Sequence, residues 1–371
     1  MEGEIRPAGA THEAYRAVRV FGGLDGLRCL SILAVVWHHA GGSEGAMGRL
    51  FPAAGFGFLG VDLFFEISGF LIVTLLLRER ERRGDISLRN FYARRALRIF
   101  PLYYGILLLF TILYLGVRPH SPLSAPFRHD LPWLLSYMTN WVTASGMLAI
   151  TWSLSAEEQF YVVWPAVETW LAKAATALVL VLIAVSQIIH FGLIDPQLRQ
   201  WFGWAPDQPQ MLRQTTFTPI LLGVLLAHLL HSPRGYARAA AVFGSRAAAP
   251  VCLAALVVLA NVLPADIRGW GRLSVHLLMF CLLAACVVRE DNGLRRFLAW
   301  GPVARIGTLS YGIYLLHHIG LAIAGKGLRV VHLEHPVALF VVGGALSVGL
   351  AALSYRFYET PFLRLKSRVA S

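Results

Sequence analysis

Apolar runs long enough to cross a lipid bilayer recur along this chain of 371 residues, and they restrict its fold more than any other feature. A hydrocarbon core of about 30 Å takes roughly 20 helical residues. Hydrophobic residues make up 56% of the sequence and charged residues 15%, which is outside the range of soluble globular domains. We therefore predict an all-α, polytopic integral membrane protein. Its ten transmembrane helices are expected at 24–41, 55–77, 99–117, 150–170, 173–191, 216–231, 248–264, 272–288, 305–324 and 336–357.

The basic residues indicate how these helices are oriented. An even number of spans places both termini on one side, and most of the 33 Lys and Arg residues flank the helices there if that side is cytoplasmic. This bias follows the positive-inside rule. It accounts for the formal charge of +12, so we expect no binding to nucleic acid. We expect a multi-pass protein of the cytoplasmic membrane, with a cytoplasmic segment at 1–23, a membrane domain at 24–358 and a cytoplasmic tail at 359–371.

Two ionisable residues of the first span form a candidate functional pair. Such residues are expensive in lipid and by default indicate function. His39 follows Arg28 by eleven residues, which gives an angular offset of about 20° and a rise of about 16 Å, so both lie on one helix face. His38 points about 80° away from Arg28. An interhelical hydrogen bond explains a single membrane histidine equally well, but the register with an arginine favours function.

Acidic residues in the second and fourth spans are candidate partners for this histidine. Asp62 and Glu66 lie one helical turn apart, and Glu157 and Glu158 are adjacent. The helical rise places His39, Asp62 and the glutamate pair at similar depths, about 3 to 8 Å beyond the bilayer midplane. A carboxylate beside a histidine fixes its tautomer and raises its basicity, as a general base requires. A buried ion pair that only joins helices is the alternative.

Three arginines at the cytoplasmic end of the third span are candidate ligands for a phosphorylated donor. Guanidinium groups bind phosphates bidentately, although topology or anionic lipid explains any single basic residue. Neither His38 with His39 nor His317 with His318 shows metal-ligand spacing with an acid. We therefore expect no metal and no bound cofactor. The three arginines are Arg94, Arg95 and Arg98.

Six segments together resemble acyltransferase family 3 of membrane proteins, which includes bacterial O-antigen and exopolysaccharide O-acetylases and macrolide acylases. They are LDGLRCLSILAVVWHH, GVDLFFEISGFLI, FYARRALRIFP, TWSLSAEEQFYVVWP, SYGIYLLH and SYRFYETP. The resemblance implies a ten-helix fold that passes an acyl group, commonly acetyl from acetyl-CoA, to a hydroxyl. By position, the family's essential residues correspond to Arg28 and His39, its basic motif to Arg94, Arg95 and Arg98, and its fourth-span acid to Glu158. Supporting residues in these segments are Ser68, Trp152, Ser153, Glu157, Tyr161, Tyr311, Tyr314 and His317.

These observations lead to the hypothesis of a membrane O-acyltransferase. Its co-substrate would be acyl-CoA, whose phosphates the arginines would hold. His39 would be the catalytic residue, oriented by Asp62 or Glu158. Its acceptor would be a glycan, a glycolipid or a small hydroxylated molecule. We expect no extracytoplasmic hydrolase-like domain after residue 371, so the membrane domain would itself complete the transfer.

Other functions stay open at the level of sequence. Intramembrane acids, histidines and arginines also form proton relays in secondary transporters, although the two halves of this chain show no inverted repeat. Acylation of a macrolide or a lipid is a second alternative. A non-catalytic assembly factor for glycan synthesis is a third.

Overall fold

The computed structural model describes residues 11–18, 20–42, 52–142, 144, 146–203, 217–264 and 267–369. This part of the chain contains helices and turns and no strand, so the all-α prediction is confirmed for it. The first helices are α1 His12–Ala17, α2 Leu24–His39, α3 Leu59–Arg83, α4 Leu88–Thr111, α5 Ser124–Leu135, α6 Thr151–Trp170, α7 Ala175–His190 and α8 Asp195–Phe202. They are followed by α9 Thr218–His231, α10 Pro233–Phe243, α11 Ala248–Val262, α12 Gly269–Val288, α13 Arg295–Leu298, α14 Gly301–Thr308, α15 Ser310–Val330, α16 Pro336–Ser354 and α17 Thr360–Val369.

Each of the ten predicted spans coincides with a helix, but fewer helices qualify as complete spans. Four are long and apolar enough to cross a membrane: α3, α4 with its π-helical continuation to Val117, α12, and the segment Pro336–Leu365. Three more spans qualify if a bent pair counts as one, with bends of 84° between α7 and α8, 69° between α10 and α11, and 79° between α14 and α15. The count of ten and the cytoplasmic position of both termini therefore stay predictions. The predicted terminal segments lie partly outside the described residues, which exclude 1–10, 19, 370 and 371.

The outer surface of the helices is apolar. Large aliphatic side chains such as Leu108, Val181 and Val341 expose more than half of their surface. Exposed apolar area on this scale is unfavourable in water and is what contact with lipid tails requires. The structure thus agrees with a multi-pass membrane protein.

Glycines allow α3 to pack closely against its neighbour α9. Gly69 of α3 lies against the backbone carbonyl of Ile220, and Gly223 of α9 lies against the backbone carbonyl of Glu66. A Cβ atom at either glycine would overlap the facing carbonyl oxygen. Small residues bring membrane helices together because dispersion contacts there replace the hydrophobic effect. This contact, together with the packing of α2 on its other side, fixes the position of α3 in the middle of the molecule.

A short turn joins α3 to α4 and positions the arginines of α4. Gly84 ends α3 with φ of 81°, a left-handed conformation that glycine adopts without strain. Ser87 then caps α4, because its hydroxyl accepts a hydrogen bond of 3.4 Å from the backbone N–H of Asn90. Across the turn, the Arg94 guanidinium lies 3.4 Å from the carboxylate of Glu79. The first turns of α4 are thereby held beside the last turns of α3.

Candidate active site

A cavity of about 240 Å³ lies among α2, α3, α4, α6 and α15. Its wall is largely apolar, with side chains such as Phe64, Phe65 and Leu71. Its charged lining consists of four arginines and three glutamates, and six of these seven are site residues predicted from the sequence. These six are Arg28, Arg94, Arg95, Arg98, Glu157 and Glu158, and the seventh is Glu79.

The arginines reach the cavity from two helices. On α4, Arg98 follows Arg94 by four residues and Arg95 by three, so its side chain lies on the same helix side as each of them. The guanidinium carbon of Arg95 stands 3.8 Å from the ring centre of Tyr161, a cation–π contact that orients it. Arg28 comes from α2, where it pairs with Asp25 at 3.2 Å. Two helices thus direct positive charge into one apolar-walled space.

The fourth predicted span supplies the acidic side of the cavity. Glu157 accepts a hydrogen bond from the hydroxyl of Tyr161, one turn further along α6. Glu158 lines the same cavity, and so does Ser68 of α3. Trp152 does not line the cavity; its ring packs edge-on against Phe65 with centroids 6.2 Å apart.

A chain of contacts leads from the cavity to His39. Tyr314, which lines the cavity, shares a hydrogen bond of 2.6 Å with Ser153 of α6. The Tyr314 ring lies 5.8 Å from the ring of His317, and Nε2 of His317 lies 3.1 Å from Nδ1 of His39. Tyr311 also lines the cavity and donates a hydrogen bond of 2.7 Å to the carbonyl of Ile99. The predicted residues of α6 and α15 are thus placed between the arginines and the predicted catalytic histidine.

Hydrogen bonds to the backbone define the tautomers of both histidines. Nδ1 of His39 lies 3.0 Å from the carbonyl oxygen of Val35, and Nδ1 of His317 lies 2.6 Å from that of Tyr314. A carbonyl oxygen only accepts, so each Nδ1 carries the hydrogen and each Nε2 has a lone pair when the ring is neutral. A third ring, that of His318, lies 4.7 Å from the ring of His39. The side chain of His39 is partly exposed, so its lone pair is accessible to a second substrate.

Asp62 has a different partner from the one expected. Its carboxylate accepts hydrogen bonds from Arg272 at 3.1 and 3.3 Å and lies 3.1 Å from Nε2 of His276. The expected contact with His39 is therefore wrong in this structure, because similar depth in the membrane does not make two helices face each other. Glu66, one turn along α3, is fully buried, and its carboxylate has no hydrogen-bonding partner within the described residues. The catalytic role of Asp62 depended on that contact and stays a prediction without it.

Three site residues were missed by the sequence reasoning. Arg272 and His276 lie one turn apart on α12, a spacing that could have indicated a shared partner. Arg272 was instead attributed to membrane topology, since the predicted span began at that residue. His318 follows the predicted His317 directly, and only the crossing of α2 and α15 shows that it approaches His39.

The chain is similar in sequence to a family of acyltransferases and to several curated proteins. The model of an acyltransferase domain family matches residues 21–356. The putative peptidoglycan O-acetyltransferase YrhL of Bacillus subtilis is 29% identical over 369 residues, which cover 92% of this chain and 55% of that protein. A putative O-acetyltransferase of Staphylococcus aureus is 28% identical over 379 residues, with 94% and 58% covered. The peptidoglycan O-acetyltransferase OatA of Listeria monocytogenes is 28% identical over 366 residues, with 91% and 55% covered.

The matches cover more than nine tenths of this chain and a smaller share of each relative. The chain spans a little more than half the length of the curated relatives it matches. No solved structure matches it. The family model runs from before α2 to the end of α16, so it includes the arginine-lined cavity and all three histidines. The chain therefore belongs to acyltransferase family 3, as its six sequence segments predicted.

Proposed function

We propose that this protein is a membrane O-acetyltransferase that moves an acetyl group from cytoplasmic acetyl-CoA to a hydroxyl of a cell-wall glycan. The observation that carries the proposal is the cavity with four arginines, from which Tyr314 and His317 lead to His39. Family membership supports acyl transfer, and the names of the relatives favour peptidoglycan over a macrolide or a lipid as acceptor. A secondary transporter would need neither an arginine-lined site for a phosphorylated donor nor membership of an acyltransferase family.

The arginines are assigned to the phosphates of the donor. Guanidinium groups form charge-assisted, bidentate hydrogen bonds with phosphate, and these are stronger in an apolar surrounding. A volume of about 240 Å³ lies below the range of pockets that enclose a drug-sized ligand. The cavity therefore suits the narrow acyl-pantetheine arm, whereas the nucleotide of CoA would stay at its cytoplasmic mouth, near Glu79 and Arg94.

His39 is assigned as the group that activates the acceptor. Its Nδ1–H is directed to the carbonyl of Val35, so Nε2 has the lone pair that a general base uses. Nε2 takes the proton of the acceptor hydroxyl as the oxygen attacks the thioester carbonyl. The carbon–sulfur bond then breaks, and the protonated His39 returns the proton to the CoA sulfur. Transient acylation of the same nitrogen is the second route that this geometry permits.

A matched pair of variants tests the proposal. The full chain in lipid nanodiscs is supplied with acetyl-CoA and a soluble fragment of peptidoglycan glycan, and release of CoA and acetylation of the glycan are measured. His39→Gln is expected to reduce transfer by about 100-fold or more, because general-base catalysis contributes 10² to 10⁴. His38→Gln is the control for loss of a neighbouring ring, since the His38 ring packs against Phe58 at 5.6 Å and against His39 at 5.2 Å. Near-normal transfer by correctly inserted His39→Gln would refute the assignment.

The acceptor needs a separate test. Mass spectrometry of the cell wall is compared between a deletion strain and its parent. Loss of O-acetyl groups from the glycan strands would support peptidoglycan as acceptor. Loss from another glycan or from a secreted metabolite would keep acyl transfer and replace the acceptor, and substrate uptake into proteoliposomes without release of CoA would favour a transporter.

A further inference from the structure

Three imidazole rings meet where the end of α2 crosses α15. His39, His317 and His318 each offer one ring nitrogen, and these nitrogens lie within 4.8 Å of one another. The ring centroids of His317 and His318 are 4.4 Å apart. We propose that this histidine cluster is a binding site for a divalent transition-metal ion of the Zn²⁺ type. The sequence did not indicate this site, because neither histidine pair has an acid at ligand spacing and the three ligands come from two helices.

The hydrogen bonds around the cluster are those of metal-binding histidines. A ligating histidine usually donates its other N–H to a backbone carbonyl or a carboxylate, which fixes both the tautomer and the ring plane. Nδ1 of His39 has Val35 as such a partner, and Nδ1 of His317 has Tyr314. The Nε2 lone pairs of both rings are consequently directed away from their own helices. This orientation exists before any ion binds.

The distances are close to those of a tetrahedral site. With Zn–N bonds of 2.0 to 2.1 Å, ligand nitrogens of a tetrahedral site lie about 3.4 Å apart. The nitrogens within 4.8 Å of one another therefore need to approach by no more than about 1.5 Å, which rotation of the rings provides. Nε2 of His317 lies 3.1 Å from Nδ1 of His39, and this contact would be lost when Nε2 of His317 turns to the ion.

The ligand set also predicts which role an ion would have. Three neutral histidines with an open fourth position are typical of catalytic rather than structural zinc. A hydroxyl bound at that position loses its proton more readily. This role rests on the proposed function, since the hydroxyl would be that of the acceptor, and Nε2 of His39 would then hold the ion instead of taking the proton. Binding of the ion itself does not depend on acyl transfer.

Zinc content is the direct test. The full-length protein in nanodiscs is incubated with ZnCl₂, freed of excess metal by desalting, and analysed by elemental mass spectrometry. We expect about one zinc ion per chain in the wild type. His318→Gln should weaken binding by more than about 100-fold, because it removes a ligand and not only an outer contact. His38→Gln should bind as the wild type does, because the His38 ring contacts those of Phe58 and His39 but is not one of the three clustered histidines.

A gain-of-signal variant protects the test against simple misfolding. In His318→Cys, added Co²⁺ should produce a thiolate-to-cobalt charge-transfer band that the wild type lacks. A misfolded variant would not give tetrahedral cobalt. A wild type that keeps no zinc after desalting, or equal loss in His38→Gln and His318→Gln, would overturn the proposal.

The result can be separated from the test of acyl transfer. Full transfer by wild-type protein after chelation, with no metal left in the sample, would overturn the catalytic role of the ion and leave the proposed function standing. Stoichiometric zinc in a protein that releases no CoA from acetyl-CoA would support the metal site and overturn the proposed function.

Discussion

The ion pair between Asp62 and Arg272 allows a stability measurement to distinguish a structural from a catalytic role of Asp62. Both side chains are nearly inaccessible, with exposed fractions of 3% and 10%. Removing one member leaves the other charge buried without its counter-ion, which costs about 3 to 5 kcal/mol. Replacing both by uncharged residues of similar size removes the pair without leaving a charge and is often neutral.

Asp62→Asn and Arg272→Met are therefore each expected to destabilise the protein, and the double variant to recover most of the loss. At about 2 °C per kcal/mol, each single substitution lowers Tm by roughly 6 to 10 °C. The assay is thermal unfolding in detergent, followed by tryptophan fluorescence. Acetyl transfer is measured on the same samples and expressed per folded molecule.

The outcome of the double variant decides between the two roles. If Asp62 only joins α3 to α12, the double variant regains both its Tm and its transfer rate. A double variant that regains Tm but transfers no acetyl groups would show that Asp62 has a catalytic role after all. Single variants as stable as the wild type would refute the reasoning about the buried pair, since neither charge would then need its counter-ion.

Two further substitutions test the cavity and the helix packing. Arg95→Gln should raise KM for acetyl-CoA by about 10- to 100-fold, because a hydrogen bond to a charged group contributes about 1.5 to 3 kcal/mol. The same variant should use the acetyl thioester of N-acetylcysteamine as the wild type does, since that donor has no phosphate; equal loss with both donors would contradict the assignment. Gly223→Leu should prevent close packing of α3 on α9 and abolish the folded yield, whereas Gly349→Leu should not, because nothing lies within 4 Å of a Cβ there. Size-exclusion chromatography would measure the yields, and equal yields would contradict the packing argument.

The sequence predicted the helices well because local hydropathy determines them. All ten predicted spans overlap helices. The helix α12 begins three residues before the predicted span 272–288 and ends with it, whereas α3 begins four residues after the predicted start at 55 and ends six residues after the predicted end at 77. The bends were not predicted. The span expected at 305–324 breaks between Thr308 and Ser310, where α14 turns by 79° into α15. Next to that bend, Gly307 packs against the backbone of Asp25 on α2, a tertiary contact that local hydropathy does not report.

The cavity brings together residues that the sequence predicted for one site, and their roles there stay predictions. Arg28, Arg95 and Glu158 line it together, although the helical rise had placed Glu158 near the depth of His39, about 16 Å from that of Arg28. Depth and helix face follow from residue number and helical geometry. Which helices are neighbours does not follow from them. Asp62 was therefore named, with Glu158 as the alternative, as the partner of His39, although its carboxylate accepts a hydrogen bond from Arg272 of α12.

The surroundings of His39 illustrate why that error matters chemically. A carboxylate beside His39 would have made one proton-sharing pair with a fixed negative charge. The structure instead surrounds it with His317 and His318, and in the neutral tautomers each ring keeps one lone pair. Three neutral rings whose nitrogens lie within 4.8 Å of one another can take up a proton or an ion. The step that activates the acceptor therefore depends on which of these the cluster holds, and measuring zinc and acetyl transfer on the same preparation distinguishes them.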